Sequence, residues 1–324
     1  MKVLVLGHDD VTELLSLAEC IPLMRTALIG LSRGDGFQPL RSIIQPPGLP
    51  GFLGLMPGYL GGASPVLGIK LLGVFPGNSA IGKDAHQGVV LLLDPATGEA
   101  QAVVNASAIT AVRTAAVSAV ATDALARPDA SVLTVIGTGV TAQWHVRALL
   151  HVRTIDSIRL VGRDTVRGLD VAAALGAELP VSVTFTTDTE AALDGADIVV
   201  TATTSAEPVL SRDWLAPGVH VNAVGACKPT TREIDSATMT AAAIFTDRRE
   251  SALHESGDLL LAGLGADAIR AEIGEVCAGS AAGRGGPDEI TVFESLGLAV
   301  EDLASAAHVV AAAQRTGHGT WADF

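Results

Sequence analysis

Aromatic side chains make up only 3% of this 324-residue chain, and a single one is tyrosine. The 48% of hydrophobic residues is largely alanine and valine, so the core must be aliphatic and finely packed. Cysteine is equally scarce. Cys20, Cys227 and Cys277 have no metal-ligand spacing and are too few for a disulfide scaffold. Basic charge is in short supply: 21 Lys and Arg face 35 Asp and Glu, a net charge of −14. That balance argues against nucleic acid or an anionic membrane as a partner. An acidic protein that binds an anion needs local cations, and these should stand out. Only four of the basic residues are lysine, so each retained lysine carries information. No apolar run reaches about 18 residues without a charge or a breaker. Residues 1–7 read as a short strand rather than a signal peptide. The expectation is a cytoplasmic protein acting on a small molecule.

What is present is most informative at residues 132–150, VLTVIGTGVTAQWHVRALL. A short apolar run ends at Gly137, Gly139 follows, Ala142 comes three later, and a helix pattern begins. This is the strand, tight turn and helix of a dinucleotide site. Gly137 permits the turn, Gly139 lets backbone approach a pyrophosphate, and small Ala142 lets helix and strand pack closely. The first helical N–H groups, around Thr138, Val140 and Thr141, face the phosphates.

Around this motif the texture changes twice. Residues 11–32 carry helical spacing and stop at Gly34-Asp35-Gly36. Residues 40–104 hold short β-rich runs (52–56, 66–72, 88–93, 100–104) between Gly and Pro turns, with 94–98 as a hairpin connection. A long helix over 105–126 follows, with Asn105 or Ser107 as N-cap. Strands and helices then alternate: strands at 132–136, 157–161, 181–185, 198–201, 219–224, 244–246 and 290–293, with helices at 142–151, 166–175 and near 190–193. Alternation of this kind predicts a parallel, doubly wound sheet. A last helix over 300–315 returns to the first part. The fold class is therefore α/β: a Rossmann sheet (119–299) inserted into a mixed α+β domain made of 1–118 and 300–324.

Several residues could carry chemistry. Arg113 is the only charge between Asn105 and Thr122, in a helix of Ala, Val, Ile, Thr and Ser. It is either half of an internal salt bridge or a fork for a substrate carboxylate. Lys70 lies at the end of an apolar run. It either snorkels or is desolvated, with a lowered pKa suited to proton transfer. Arg41 alone reads as a solvated edge residue. His86 opens a strand, as a structural residue or near a nicotinamide. After the second strand of the nucleotide fold, Gly162-Arg163-Asp164 puts Arg163 where NAD-specific sites place an acid, with Arg167 close by. This favours a ribose 2′-phosphate and hence NADP(H), with NAD(H) the alternative. Asp164 is either a ribose ligand or a helix N-cap. The loops after later strands offer Ala202, Thr203, Val224 and Gly225 to the coenzyme. Cys227 follows without a His partner, so a nucleophilic role has no support.

Four segments carry a resemblance that extends along the chain: QPLRSIIQPPG with GFLGLMPGYL; GIKLLGVFPGN through HQGVVLLLDPATGEAQAVVNASAITAVRTAAVSAVAT; the nucleotide loop; and VNAVGACKPTTREID with ESGDLLLAG and TVFESLGLAVED. They resemble the ornithine cyclodeaminase/mu-crystallin family. The resemblance implies that Arg41, Lys70 and Arg113 converge on a substrate α-carboxylate or its C=N neighbour. It implies that the first domain dimerises, and that Ser295, Leu296 and Gly297 approach the nicotinamide. It also marks a departure. Cyclodeaminases carry an Asp in the loop after VNAVG and a Lys a few residues on, where this chain has Cys227 and Thr231. The GACKPTTRE pattern is closer to ketimine reductases.

The reading is thus NAD(P)H-dependent reduction of a cyclic imino acid, Δ1-pyrroline-2-carboxylate or Δ1-piperideine-2-carboxylate, to proline or pipecolate. Cys227 would occupy the catalytic position, with His86 beside the substrate. The alternatives are ornithine cyclodeamination with ammonia release, an alanine or opine dehydrogenase, and a non-catalytic NADPH-binding protein.

Overall fold

The structure is a computed structural model that describes residues 2–83 and 85–323. The chain divides into two compact units, 1–113 with 297–324, and 114–296.

In the first unit the described residues form one mixed sheet. Its order is Thr320–Asp323, Lys2–Leu6, Ala100–Asn105, His86–Leu93, Val66–Val74 and Phe52–Leu60, with Gly36–Phe37 and Ser42–Ile44 both on the last strand. Only Lys2–Leu6 and Ala100–Asn105 pair in parallel. The connection at 94–98 is the expected hairpin turn, closed by Asp94 N–H to the Glu99 carbonyl at 2.8 Å. The strands run longer than the sequence pattern implied. Phe52–Leu60 contains Pro57, yet pairs along its whole length with Val66–Val74. Its other side is paired only at 53–55 and 59–60, so Pro57 falls where that side has no partner strand.

The single helix expected over 11–32 is two, His8–Leu14 and Leu17–Ser32, bent by 86°. Ser16 starts the second one: its hydroxyl accepts from Glu19 N–H, and Glu19 returns a carboxylate to Ser16 N–H. The closing helix, Ala299–Thr316, lies over the strands Phe52–Leu60 and Val66–Val74. Gly58 and Gly68, which are directly paired, allow this approach. A Cβ on Gly68 would stand 2.9 Å from Leu303 Cδ2, and one on Gly58 3.1 Å from Ala299 Cβ. The opposite face of the sheet presents Leu53, Leu55, Pro57, Tyr59, Leu67, Ile69, Leu71, Val89 and Leu91, each exposed or half-buried.

The second unit is the doubly wound sheet. Its parallel strands lie in the order Ser182–Thr186, Ser157–Val161, Val132–Ile136, Ile198–Thr201, His220–Ala223, Thr291–Glu294, Ala243–Thr246, Ile269–Glu272. The order reverses between Val132–Ile136 and Ile198–Thr201, so the ligand crevice of such a fold lies at their carboxyl ends. The core here is mostly aliphatic, with Val199, Val221, Ile244 and Val292 fully buried alongside Phe245 and Phe293. The strand Ile269–Glu272 lies in a stretch where the sequence pattern showed none.

The long helix is Ala106–Leu125, and Asn105 is its cap: its Oδ1 accepts from Ala108 N–H at 3.0 Å, while Ser107 bonds the His86 carbonyl. This helix is long and apolar enough to cross a membrane, but its apolar window is 72% buried within the protein.

Candidate active site

In the second unit the glycine loop joins Val132–Ile136 to the helix Val140–Leu149. Gly137 has φ +135°, a conformation that L side chains rarely adopt. A Cβ there would also lie 2.5 Å from the Ala202 carbonyl oxygen. Ala142 is buried against this turn, as its small size requires. Gly139 is different. Its φ of −77° suits any residue, and a Cβ on it would meet nothing within 4 Å. The fold itself does not demand glycine here. The open space lies at the helix N-terminus, where Val140 and Thr141 present N–H groups without intrahelical acceptors. A pyrophosphate fits that cradle.

Thr138, Arg163, Asp164 and Arg167 line an open cleft of about 440 Å³. Gly162 makes the loops meet, since a Cβ on it would lie 2.9 Å from Thr138 Cγ2. Asp164 is a helix cap: its Oδ1 accepts from Arg167 N–H at 3.1 Å and starts the helix Thr165–Glu178. Arg163 and Arg167 are both exposed. The cleft thus offers two guanidinium groups to an anion, with its one carboxylate engaged at the helix start.

Ala202 and Thr203 follow Ile198–Thr201, and Val224 and Gly225 follow His220–Ala223. These adjacent strands end at the same edge of the sheet. Ser295 and Leu296 follow the next strand, and Leu296 N–H is held by Asp247 Oδ2 at 2.7 Å. The Cys227 thiol, half-buried, donates to the Val224 carbonyl at 3.3 Å. It shapes a loop, and no carboxylate stands at its position.

The first unit brings the three cations together. Lys70 lies mid-strand rather than at a strand end, because the strand continues to Val74. It points to the same side as Gly68, beneath the closing helix, and is 1% exposed. Its Nζ donates to Asp302 Oδ1 at 2.9 Å. Arg113 donates through Nε to that same oxygen at 3.0 Å and through Nη1 to Glu301 Oε2 at 2.6 Å. Arg41 is half-buried and donates to the Gly297 carbonyl at 2.9 Å. It precedes a strand rather than sitting in one. Gly297 has φ +81°, and a Cβ on it would lie 2.7 Å from Arg113 Nη1. Gly297 therefore fits between the two guanidinium groups. Burial pulls the Lys70 pKa down to about 8, against the pull of Asp302; Arg113 and Arg41 lower it further.

Among the described residues, three cations and two carboxylates meet here. Arg113 meets the first of its sequence readings, the internal salt bridge, through Glu301 and Asp302. His86 is not in this group. Register pairs Lys70 with Val90, and His86 lies four residues further along that strand, about 13 Å. Its side chain is exposed. Sequence reasoning missed Glu301 and Asp302, although FESLGLAVED was part of the resemblance; acids in the first turn of a helix ordinarily read as dipole partners.

A sequence profile of the ornithine cyclodeaminase/mu-crystallin family matches residues 1–317. Ketimine reductase mu-crystallin of Mus musculus is 40% identical over 289 residues, 88% of this chain and 89% of the mouse protein. The Delta(1)-pyrroline-2-carboxylate reductase of Bacillus thuringiensis subsp. konkukian is 36% identical over 99% of this chain and 100% of its own. Among solved structures, the Thermococcus litoralis Delta(1)-pyrroline-2-carboxylate reductase in complex with NADH and L-proline superposes with a TM-score of 0.95. It is 34% identical, with 98% of this chain and 99% of the other covered. An archaeal alanine dehydrogenase dimer with bound NAD gives 0.94 at 30% identity, covering all of both chains. The chain belongs to the ornithine cyclodeaminase/mu-crystallin family.

Proposed function

We propose that the protein reduces cyclic ketimino acids, Δ1-pyrroline-2-carboxylate or Δ1-piperideine-2-carboxylate, to proline or pipecolate with NAD(P)H. The observation that carries this reading is the buried pair Lys70 and Arg113 sharing one oxygen of Asp302, beside Arg41. A guanidinium fork suits a planar α-carboxylate. An imine accepts hydride readily only when its nitrogen is protonated. Lys70, with a pKa near 8, holds a transferable proton at neutral pH. Arg41 and Arg113 therefore bind and orient the anion, and Lys70 supplies the proton at nitrogen. The coenzyme, when bound, supplies the hydride. The Bacillus and mouse relatives, named for this class of reaction, support the same assignment.

The coenzyme form is NADP(H). The support is the pair Arg163 and Arg167 in the cleft beside Thr138, with Asp164 used as a cap. The protein acts as a homodimer, with the open apolar face of the first unit's sheet against a second copy. Contiguous apolar faces of this kind mark interfaces, and the archaeal alanine dehydrogenase neighbour is a dimer.

The deciding experiment follows loss of nicotinamide absorbance with each ketimine, alongside ammonia release from ornithine. Turnover of a cyclic ketimine without ammonia from ornithine is expected. Absence of ketimine turnover with either coenzyme would overturn the reading. Ammonia release would instead select cyclodeamination, which Cys227 in place of a carboxylate disfavours.

A further inference from the structure

Behind the coenzyme loops of the second unit sits a set of buried acids that the reaction above does not use. Glu233 is fully buried. Its Oε1 accepts from Thr203 N–H and its Oε2 from Gly225 N–H, both at 2.6 Å. These amides belong to loops that follow two adjacent strands, at the edge where such folds bind ligands. One side chain therefore ties two loops together. The fit is tight: a Cβ on Gly225 would lie 2.6 Å from Glu233 Cδ and 2.3 Å from the Thr203 carbonyl oxygen. Glu233 is itself anchored, because Asp258 Oδ1 accepts from the N–H groups of both Glu233 and Ile234 at 2.8 Å.

The chain of contacts reaches the glycine turn. Thr203 follows Ala202, whose N–H bonds the Ile136 carbonyl at 2.9 Å. The Ala202 carbonyl is the atom that excludes any side chain from position 137. Ser256 caps the helix Gly257–Leu261, which carries Asp258, and donates to Glu294 Oε2 at 2.7 Å. Gly257 has no room for a Cβ, which would lie 1.7 Å from the Thr231 carbonyl oxygen. The anchor is thus seated on rigid backbone.

We propose that Glu233 is a positioning residue for the nicotinamide end of the coenzyme, fixing the Thr203 and Gly225 loops before ligand arrives; this rests on the reading of the second unit as the coenzyme domain. Two N–H donors on two different oxygens make a pattern only a carboxylate satisfies. A glutamine has one carbonyl and turns its amide N–H₂ against the second donor. Burial raises the Glu233 pKa, and the hydrogen bonds at Thr203 and Gly225 oppose that rise.

The test is calorimetric binding to wild type and Glu233→Gln of two ligand pairs: NADPH with 2′-phospho-ADP-ribose, and NADH with ADP-ribose. The second member of each pair lacks nicotinamide. The variant is expected to hold the preferred coenzyme about tenfold more weakly, the scale of one broken buried hydrogen bond with its stranded donor. Its affinity for the matching ADP-ribose should stay within about twofold. Equal weakening of both members, or no weakening, would overturn the proposal. Wild type that binds neither coenzyme would instead overturn the coenzyme-domain reading. If Glu233→Gln does not fold, amide hydrogen exchange on ligand-free wild type decides. Protected Thr203 and Gly225 amides support a loop clamp set in advance, and free exchange at both rejects it.

Discussion

Lys70 Nζ stands 2.9 Å from Asp302 Oδ1, and neither side chain reaches solvent. The same oxygen receives the Arg113 Nε hydrogen. A buried ion pair is costly to form, and breaking it by removing one partner is costlier, because an uncompensated charge stays in a dry site. Asp302→Asn keeps the shape and removes the charge. It is expected to lose about 3 kcal/mol of stability in urea unfolding. The same variant should lower ketimine turnover at neutral pH, because without the Asp302 charge the Lys70 pKa falls further and less of the lysine carries the proton it must donate. A variant as stable and as active as wild type would show that the shared oxygen does not hold the cluster.

The pH dependence of reduction follows from Lys70. Its folded pKa lies near 8, below its ordinary value of 10.5, chiefly because it is buried. The proposed proton donor is therefore present below about 8 and lost as pH rises through that value. A plot of log kcat/KM against pH is expected to fall above about 8. Lys70→Met should abolish the reaction without unfolding the protein at high pH, where the wild-type lysine is neutral too. The linkage sign agrees: between about 8 and 10.5 the unfolded chain binds the extra proton, so Lys70 makes stability rise with pH across that window. A rate profile flat to pH 10 would remove Lys70 as the donor.

Much of this was legible in the sequence, for local reasons. The glycine loop announces itself because turn, phosphate approach and helix packing each constrain one nearby residue. Asp164 was already open to a capping role, since its position before a helix and its distance to Arg167 are set by the chain alone. Lys70 stood out against an apolar strand. Its partner did not, because Asp302 lies far along the chain and only the glycine pair Gly58 and Gly68 brings its helix down onto Lys70. Glu233 was hidden for the same reason, as its partners Thr203 and Gly225 come from separate strands. The break at Ser16 was readable from the spacing to Glu19, but helical periodicity on both sides masked it.

On the proposed NADP(H) reading, coenzyme choice turns on Arg163 and Arg167. A charge-assisted contact to a ribose phosphate contributes roughly 1.5–3 kcal/mol, about tenfold to a hundredfold in affinity. Arg163→Ala with Arg167→Ala is expected to reduce kcat/KM for NADPH by at least about tenfold and to leave NADH within about twofold. Steady-state kinetics with both coenzymes reads this directly. Wild type that prefers NADH would show that the two guanidinium groups serve only as solvated surface.

The open sheet face makes its own prediction. Ile69 sits at its centre, paired with Pro57 on one side and Leu91 on the other. In the proposed dimer, Ile69→Asp would place a charge in a dry interface, at a cost of several kcal/mol per copy. The variant should sediment as a monomer at concentrations where wild type is a dimer, with its circular dichroism unchanged. Dimers that persist in the variant would place the contact elsewhere.

His145 makes the fold less stable in acid. It is fully buried, with Nδ1 against the Thr141 carbonyl at 2.7 Å and Nε2 against Ser118 Oγ at 2.9 Å. Burial lowers its pKa to about 4, so it stays neutral where the unfolded chain takes up a proton near 6.5. Stability from this group is complete above about 6.5 and drains away as pH falls towards 4. At pH 5 the loss is about 2 kcal/mol. His145→Gln should be weaker than wild type at pH 7, because its single amide matches both partners less well. Its stability should then change less between pH 7 and pH 5, by about that same 2 kcal/mol. Urea unfolding at the two pH values measures the difference, and an equal acid loss in both proteins would assign the effect to other groups such as His220, which is also buried and neutral.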